Sequence, residues 1–332
     1  MKTGNDKDLL LEAVDWNNLE NELYKTFWDQ NVRQFWVDEE IPVAEDKQDW
    51  ESELLSAPEK DTYEKVLAGL TLLDTAQGGV GMPHILLNVE NLHAKAIFSF
   101  MCMMEQMHAK SYSTIFSTLS SAERIEELFE WVKTNEHLQK KIKIIENFYV
   151  NIDSTKGLYK AMVAAVLLET FLFYSGFFYA LWWAGHGKLI KSGEIIALIL
   201  RDESVHGLFT GLMAQEELEK LSEEDQEELK KEVVETMLEL HAIEVDYTHE
   251  LYDEIGLHND VMKYVEYNAD KALMNLGLDP YFNIEESEVN PIIINGINTE
   301  TKNHDFFSTK GNGYIKSTNA EDITDDVFAD ID

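Results

Sequence analysis

Two segments of the chain repeat a glutamate that is followed three residues later by a histidine. Glu105 and His108 lie in "MMEQMHAKSY", and Glu203 and His206 lie in "ALILRDESVHGLF". Both segments have the apolar spacing that is typical of a helix buried in a protein core. Residues three apart share a helix face, so each pair presents a carboxylate and an imidazole to the same neighbour. One such pair can be a hydrogen-bonded core histidine, but two matched pairs favour a common ligand site.

Two further acids stand in apolar helices, one ahead of each pair. Asp74 lies in "GLTLLDTAQ", 31 residues before Glu105, and Glu169 lies in "AAVLLETFLFYSGFF", 34 residues before Glu203. Four-helix ferritin-like proteins hold two metal ions with this order of ligands. Carboxylates with one imidazole per ion suit iron or manganese better than thiolate-binding metals. Two divalent cations would also neutralise four acids that could not otherwise be buried together.

Helical periodicity extends over most of the chain and predicts an all-α protein, a ferritin-like helical bundle with the two-metal carboxylate site in its core. No alternating pattern indicates a sheet, and 332 residues contain only 5 Pro. Glycine-rich stretches such as "GGVGMP" at 78–83 are expected to break the helices. The predicted helices are 16–34, 58–87, 89–119, 122–150, 155–184, 188–220, 222–255 and 258–276.

Charge and composition exclude several classes of function. With 63 acidic and 27 basic residues the net charge is −36, so the phosphates of a nucleic acid would be repelled. A single cysteine, Cys102, cannot form an internal disulfide and fits a reducing compartment. The first residues, "MKTGNDKDLLLEAVDW", resemble neither a signal peptide nor a presequence, so we expect a cytoplasmic protein.

One apolar segment, residues 161–185, is long enough to span a bilayer. A membrane helix would place Glu169 near its middle, where a charge is costly, and no second span accompanies it. We therefore expect a helix that is buried on all sides in a bundle, and no association with membranes.

The composition changes near residue 283, where Asn, Gly, Ser and Thr become frequent. The chain ends in "EDITDDVFADID", which has no basic residue. We predict a ferritin-like helical domain over residues 1–282 and a flexible acidic tail over 283–332. The tail contains aromatic residues, among them Tyr314 and Phe328, so it is either a solvating tail or a peptide that orders on a partner.

Tyr112 stands one turn beyond His108 on the face that would meet the metals. Phe173 and Phe177, on the helix of Glu169, could give its phenol a dry apolar pocket. A two-metal site of this kind serves iron storage, peroxide disproportionation, hydrocarbon oxidation, fatty-acyl desaturation or radical generation. Tyr112 favours radical generation, and the alternative is an ordinary buried tyrosine.

Four motifs together resemble a known family. "MMEQMHAKSYSTIFSTL", "VLLETFLFYSGF", "RDESVHG" and "LTLLDT" are similar to the small, radical-generating subunit of ribonucleotide reductase, and "HAKSYSTIF" resembles class Ib in particular. The match runs from about Trp16 to the acidic tail. It implies an oxidoreductase, a ribonucleoside-diphosphate reductase active only with its large subunit, that makes deoxyribonucleotides for DNA replication.

The resemblance also implies a role for individual residues. One iron or manganese ion would be bound by Asp74, Glu105 and His108. A second ion of the same metal would be bound by Glu169, Glu203 and His206. The residues that would carry or transfer the radical are Tyr112 as the stable radical, Trp36 in "RQFWVDEEIP", Asp202 beside His108, and Tyr314 in the tail.

The partners implied are a second copy of the chain in a homodimer, the large subunit and, with manganese, a flavodoxin-like activator. The tail departs from the family because "DDVFADID" lacks the aromatic-acidic ending common in class Ib. No Gly-x4-Gly-Lys-Ser/Thr loop and no cysteine pair is present, so nucleotide binding and reducing equivalents must come from elsewhere. Three alternatives remain: a related two-metal oxidase that acts on a hydrophobic ligand without radical export, an iron-storage protein, and a membrane diiron oxidase, which the single long apolar span disfavours.

Overall fold

Helices account for all the regular secondary structure of residues 12–296, the part of the chain that this computed structural model describes. The α-helices are α1 Glu22–Arg33, α2 Lys47–Glu51, α3 Ala57–Ala76, α4 Met82–Asn88, α5 Leu92–Leu119, α6 Ala122–Thr134, α7 Glu136–Val150, α8 Thr155–Leu167, α9 Tyr174–Gly185, α10 Ile190–Glu219, α11 Glu223–Tyr252, α12 His258–Asn275 and α13 Pro291–Gly296. Short 3-10 turns cover Asp38–Glu40, Val43–Asp46 and Glu286–Glu288. The all-α prediction is confirmed.

The bundle is built from the helices that carry the predicted ligands. α3 packs along α5, α10 packs along α8 and α9, and α5 meets α10 across the centre. Helices α7, α11 and α12 cover these from outside, and α1 lies against α5 and α10. The apolar residues of α8 and α9 are almost all buried, because helices pack around the whole circumference. This is the ferritin-like arrangement that the ligand order predicts.

Two π-helical segments connect consecutive α-helices, and one of them lies where a break is expected. Gln77–Gly81 joins α3 to α4, and Leu168–Leu172 joins α8 to α9. The prediction of a break at 78–83 is therefore wrong, because the helix continues through the glycines. A Cβ atom on Gly78 would lie 2.6 Å from the Cβ of Glu105, so this glycine permits a close approach of helices rather than a turn.

The predicted helix 122–150 is two helices that are separated at Asn135. The Asn135 side chain accepts a hydrogen bond from the backbone N–H of Leu138 and so caps the start of α7. Its amide group also donates to the carboxylate of Glu250 on α11. Helix propensity on both sides concealed this boundary, since one asparagine in an amphipathic stretch is a weak signal.

The long apolar stretch is confirmed as a core element. Within the described residues, Thr155–Gly185 is the one helical stretch that is long and apolar enough to cross a membrane, and its most apolar window is wholly buried inside the fold.

The folded part of the chain extends past the predicted boundary at residue 282. α13 packs against α9, where Ile292 lies close to Gly185, and Ile293 is fully buried. The carboxylate of Asp270 holds the chain on the way there by accepting backbone N–H bonds from residues 281, 282 and 284. Residues 1–11 and 297–332, which include Tyr314 and Phe328, lie outside the described residues.

A buried ion pair joins α7 to α11 away from the predicted ligands. The Lys141 ammonium lies 2.5 Å from Oε2 of Glu244 and 3.8 Å from the ring centre of Tyr247, and neither charged side chain is exposed. Burial lowers the pKa of Lys141 although Glu244 opposes the shift. Oε1 of Glu244 has no hydrogen-bond partner among the described residues. Each charge therefore depends on the other.

Removal of one partner should cost far more stability than removal of both. We expect Glu244→Leu to lower the free energy of unfolding by about 3–5 kcal/mol, because it leaves the Lys141 charge buried and unpaired. The double variant Lys141→Met/Glu244→Leu should return to within about 1 kcal/mol of the parent or exceed it. Urea denaturation of the metal-free protein measures the three values.

The exposed neighbour Lys140, paired with Glu136, supplies the control. Lys140→Met should change the free energy of unfolding by no more than about 0.5 kcal/mol. A double variant as unstable as Glu244→Leu would contradict the interpretation of this pair.

Candidate metal centre

The six predicted ligand side chains converge in the centre of the bundle, and none is exposed to solvent. They come from α3, α5, the second π-helical segment and α10. Their ligand atoms form two groups, each within 4.8 Å: Asp74, Glu105, His108 and Glu203 in one, and Glu105, Glu169, Glu203 and His206 in the other. The structure thus brings together residues that are separated by up to 132 positions in the chain.

Glu105 and Glu203 belong to both groups. Nδ1 of His108 lies 2.9 Å from Oε1 of Glu203, and Nδ1 of His206 lies 2.8 Å from Oε1 of Glu105. Each histidine therefore faces the glutamate of the other Glu-x-x-His motif as well as its own. Asp74 and Glu169 each belong to one group and lie at opposite ends. This geometry fits two cations that share the two central carboxylates.

The donor atoms of this cluster are better placed to bind metal ions than to form hydrogen bonds with one another. The shielded atoms of this cluster without a hydrogen-bond partner among residues 12–296 are Asp74 Oδ1 and Oδ2, Glu105 Oε2, His108 Nδ1, Glu169 Oε2, Glu203 Oε1 and Oε2, and His206 Nε2. Buried carboxylates without partners cost several kcal/mol each, so a set of this size requires compensation. Two divalent cations would balance the four carboxylates and use the free oxygens as ligands.

The pKa values show how strongly the acids depend on their surroundings. Burial, together with the neighbouring carboxylates, raises the pKa of Asp74 and of Glu169 well above the usual value. Burial also works on Glu105, but its interactions with the imidazoles of His108 and His206 outweigh it and lower its pKa to about 2. The central carboxylate is thus stabilised as an anion by the imidazoles, whereas the terminal acids need a cation to ionise.

Asp202 connects the centre to Trp36. Its Oδ2 accepts a hydrogen bond from Trp36 Nε1 at 2.7 Å and lies 3.1 Å from His108 Nε2. The rings of Trp36 and His108 are nearly parallel, with centres 6.1 Å apart. The structure therefore places these two predicted residues in one hydrogen-bonded chain that ends at a ligand.

Sequence reasoning missed Gln34, which completes the surroundings of Asp202. Its side-chain Nε2 donates to Oδ1 of Asp202 at 2.8 Å, and its backbone carbonyl oxygen accepts a hydrogen bond from the Arg201 guanidinium at 2.5 Å. Both oxygens of Asp202 are therefore occupied. The available signal was an amide two residues before Trp36, which is too common to be informative.

Tyr112 is fully buried, and its hydroxyl has no hydrogen-bond partner within the described part of the chain. Burial, and then the negative charges of Asp74 and Glu203, raise the pKa of Tyr112 well above its usual value. The phenol therefore keeps its proton at neutral pH. Phe173 and Phe177 are also fully buried, with ring centres 5.7 Å apart.

Comparisons with known proteins give one consistent result. The family "Ribonucleotide reductase, small chain" matches residues 13–291. The "Ribonucleoside-diphosphate reductase subunit beta" of Bacillus subtilis is 52% identical over 322 residues, 96% of each chain, and that of Mycobacterium leprae is 41% identical over 92% of each. The crystal structure of dimanganese(II)-NrdF from Streptococcus sanguinis superposes with a TM-score of 0.83 at 44% identity, covering 87% of this chain and 100% of that one.

A variant that lacks an acid shared by both groups should lose more bound metal than a variant that lacks a terminal acid. Glu105→Ala removes a donor from both groups, so we expect fewer than about one bound Mn(II) per chain. Asp74→Ala affects one group and should leave about one ion. Metal analysis after loading with Mn(II) and desalting measures both, and the unchanged protein should hold one ion per group.

Glu64, a buried acid of α3 that pairs with Arg124, provides the control. Glu64→Ala should retain the full metal content. Equal losses in the Asp74 and Glu105 variants would show that Glu105 is not shared.

Proposed function

We propose, because this chain belongs to the ribonucleotide reductase small-chain family, that its buried ligand cluster holds two metal ions beside a redox-active Tyr112. The protein is the small subunit of a class Ib ribonucleoside-diphosphate reductase. This enzyme is an oxidoreductase, and the small subunit acts only together with a large subunit. The observation that carries the proposal is the pair of overlapping ligand groups in a core without exposed donors. The ligands are Asp74, Glu105, His108, Glu169, Glu203 and His206, and the ions are two Fe or two Mn.

The chain's own residues hold and shield the centre. When bound, iron or manganese supplies the redox chemistry that can oxidise a phenol by one electron. Glu105 and Glu203 keep the two ligand groups together, and Asp202 fixes the ring of His108 through Nε2. The buried position of Tyr112 excludes water, which protects an oxidised phenol from reaction. The phenolic proton must leave with the electron, and Asp74 is the carboxylate whose charge acts most strongly on the pKa of this phenol.

The hydrogen-bonded chain from His108 through Asp202 to Trp36 is the proposed route by which the radical leaves the centre. Tyr314, outside the described residues, would continue the route to the large subunit. Ribonucleotide reduction would take place there, since this sequence has neither a phosphate-binding loop nor a cysteine pair. A ligand-oxidising protein without radical export would need neither the bond between Trp36 and Asp202 nor an aromatic residue in the tail.

The proposed partners follow from the same function. The large subunit is the required partner, and the homodimer is the expected state of the chain. The tail would dock onto the large subunit, although its residues 291–296 form the helix α13. We also propose a cytoplasmic location, which subcellular fractionation tests: recovery in a membrane or extracellular fraction would contradict it.

Replacement of the radical residue should separate metal binding from radical formation. After Fe(II) and O2, the protein should show a tyrosyl signal in low-temperature EPR spectra, and Tyr112→Phe should lack it while binding the same amount of iron. Tyr179→Phe, which alters another buried tyrosine, is the control and should retain the signal. A tyrosyl signal that persists in Tyr112→Phe would place the radical on another residue.

Replacement of Tyr314 should stop turnover without affecting the centre. We expect Tyr314→Phe to keep the tyrosyl signal and the affinity for the large subunit, because the ring remains, but to lower deoxyribonucleotide formation by at least about 100-fold. Deletion of residues 310–332 should abolish binding as well. Turnover near the parent value in Tyr314→Phe would remove this residue from the route.

The flavodoxin-like activator is proposed for the manganese form. With Mn(II) and O2 alone we expect no tyrosyl signal, and addition of the reduced flavoprotein should produce it. With Fe(II) and O2 the signal should form without the flavoprotein. A full manganese-dependent signal in its absence would show that the activator is unnecessary.

A further inference from the structure

Gln77 links Tyr149 to one of the proposed ligands by two hydrogen bonds. Its Nε2 donates to Oε1 of Glu169 at 2.6 Å, and its Oε1 accepts from the Tyr149 hydroxyl at 2.5 Å. All three side chains are fully buried. Gln77 lies on the first π-helical segment and Tyr149 on α7, so the chain of bonds reaches the centre from the side opposite to Asp202.

The chemistry of the three groups permits one direction for these bonds. Glu169 would be ionised with a cation beside it, and an ionised carboxylate can only accept, so the amide must then turn its NH2 group toward Glu169. The amide oxygen then faces Tyr149, whose hydroxyl must donate. Burial, followed by the charges of Glu169 and Glu105, raises the pKa of Tyr149 well above its usual value, which keeps the donated proton in place.

The absence of a side chain at Gly81 makes room for this contact. A Cβ atom on Gly81 would lie 2.5 Å from Oε1 of Gln77 and 2.6 Å from the ring of Tyr149. Neither neighbour can retreat, because both are packed in the core. Only glycine therefore permits the π-helical segment, the amide and the phenol to meet at this point.

The hydrogen bond from Gln77 makes the two carboxylate oxygens of Glu169 unequal. Oε1 is occupied by Gln77, whereas Oε2 has no hydrogen-bond partner among the described residues. Asp74, the terminal acid of the other group, differs because both of its oxygens are without a partner. The two ends of the centre are thus constrained to different degrees.

We propose that Gln77, oriented by Tyr149, is a positioning residue that leaves Glu169 a single oxygen, Oε2, for the metal ion of its group. The inference rests on the proposed function of the cluster as a two-metal centre. Loss of the amide would free Oε1 and allow the carboxylate to rotate, so the ion next to Glu169 would be bound less tightly. The ion next to Asp74 would be little affected.

The test measures Mn(II) binding to the full-length, metal-free chain through the EPR signal of free Mn(II). Gln77→Leu should weaken one of the two ions about 10- to 100-fold, the range seen for groups that orient metal ligands. Tyr149→Phe, which keeps the ring and removes one neutral hydrogen bond, should weaken the same ion about 3- to 10-fold. Crystals grown at limiting Mn(II) should show, by anomalous scattering, that the depleted ion is the one beside Glu169.

Tyr159→Phe is the matched control, since Tyr159 is also fully buried but its hydroxyl has no hydrogen-bond partner among the described residues. It should leave both affinities unchanged. Should Gln77→Leu fail to fold, Tyr149→Phe decides the question alone, because its ring still packs against Gly81.

Three outcomes would overturn the inference. Equal weakening of both ions would indicate a general loss of structure, and unchanged affinities would show that the amide does not position Glu169. In both cases the parent protein still binds two ions and the proposed function stands. A parent protein that binds no ions would instead refute the proposed function and, with it, this inference.

Discussion

Four carboxylates and two imidazoles share a volume from which water is excluded, and the rest of the structure depends on how their charge is offset. Partners within the protein satisfy only some of the oxygens, because the imidazoles stabilise Glu105 while Asp74 and Glu169 are left with raised pKa values. A cluster of this kind can persist only where helices enclose it on all sides. The apolar surroundings supplied by α8 and α9 therefore serve two purposes. They strengthen each interaction with a cation, and they keep the phenol of Tyr112 dry.

The polar groups around the cluster are arranged differently on its two sides. Near His108, Asp202 accepts hydrogen bonds from Trp36 and Gln34, so this side is connected to the buried segment that follows α1. Near Glu169, the bonds run through Gln77 to a single buried tyrosine and end there. The proposed radical route uses the first side, and the proposed positioning of Glu169 uses the second. The asymmetry arises from hydrogen bonding, although the ligands themselves are nearly symmetric in the sequence.

Much of the centre could be predicted from the sequence because its signals are local. The Glu-x-x-His spacing is a property of one helix turn, and a lone acid such as Asp74 is conspicuous in an apolar helix. The resemblance to ribonucleotide reductase small subunits, carried by these motifs, is confirmed by the comparisons. The sharing of Glu105 and Glu203 between the two groups was less accessible, since it depends on how α5 and α10 face each other. The contacts of Gln77 and Gln34 could not be predicted from the sequence. Each amide bonds to a residue that is far away in the chain, 92 positions away for Gln77 and 168 for Gln34. The break predicted at the glycines 78 and 81 was wrong for a similar reason, because the side chains that require glycine there include Glu105 on α5 and Tyr149 on α7.

The π-helical segments carry a consequence for how such a protein can change. A π turn accommodates one residue more than an α-helical turn, and these segments occur at Gln77–Gly81 and Leu168–Leu172, beside two of the ligands. Because the π turn absorbs the extra residue, loss of one residue there would leave an α-helical turn and keep the helix beyond it in register, whereas the same loss in a flanking α-helical turn would rotate that helix by about 100°. Loss of one residue within the second segment would thus act mainly on Glu169 and its immediate neighbours rather than on the packing of α9. The fold should therefore accept a one-residue change in length better in these segments than elsewhere in the flanking helices, and the effect of such a change would fall on the ligand cluster.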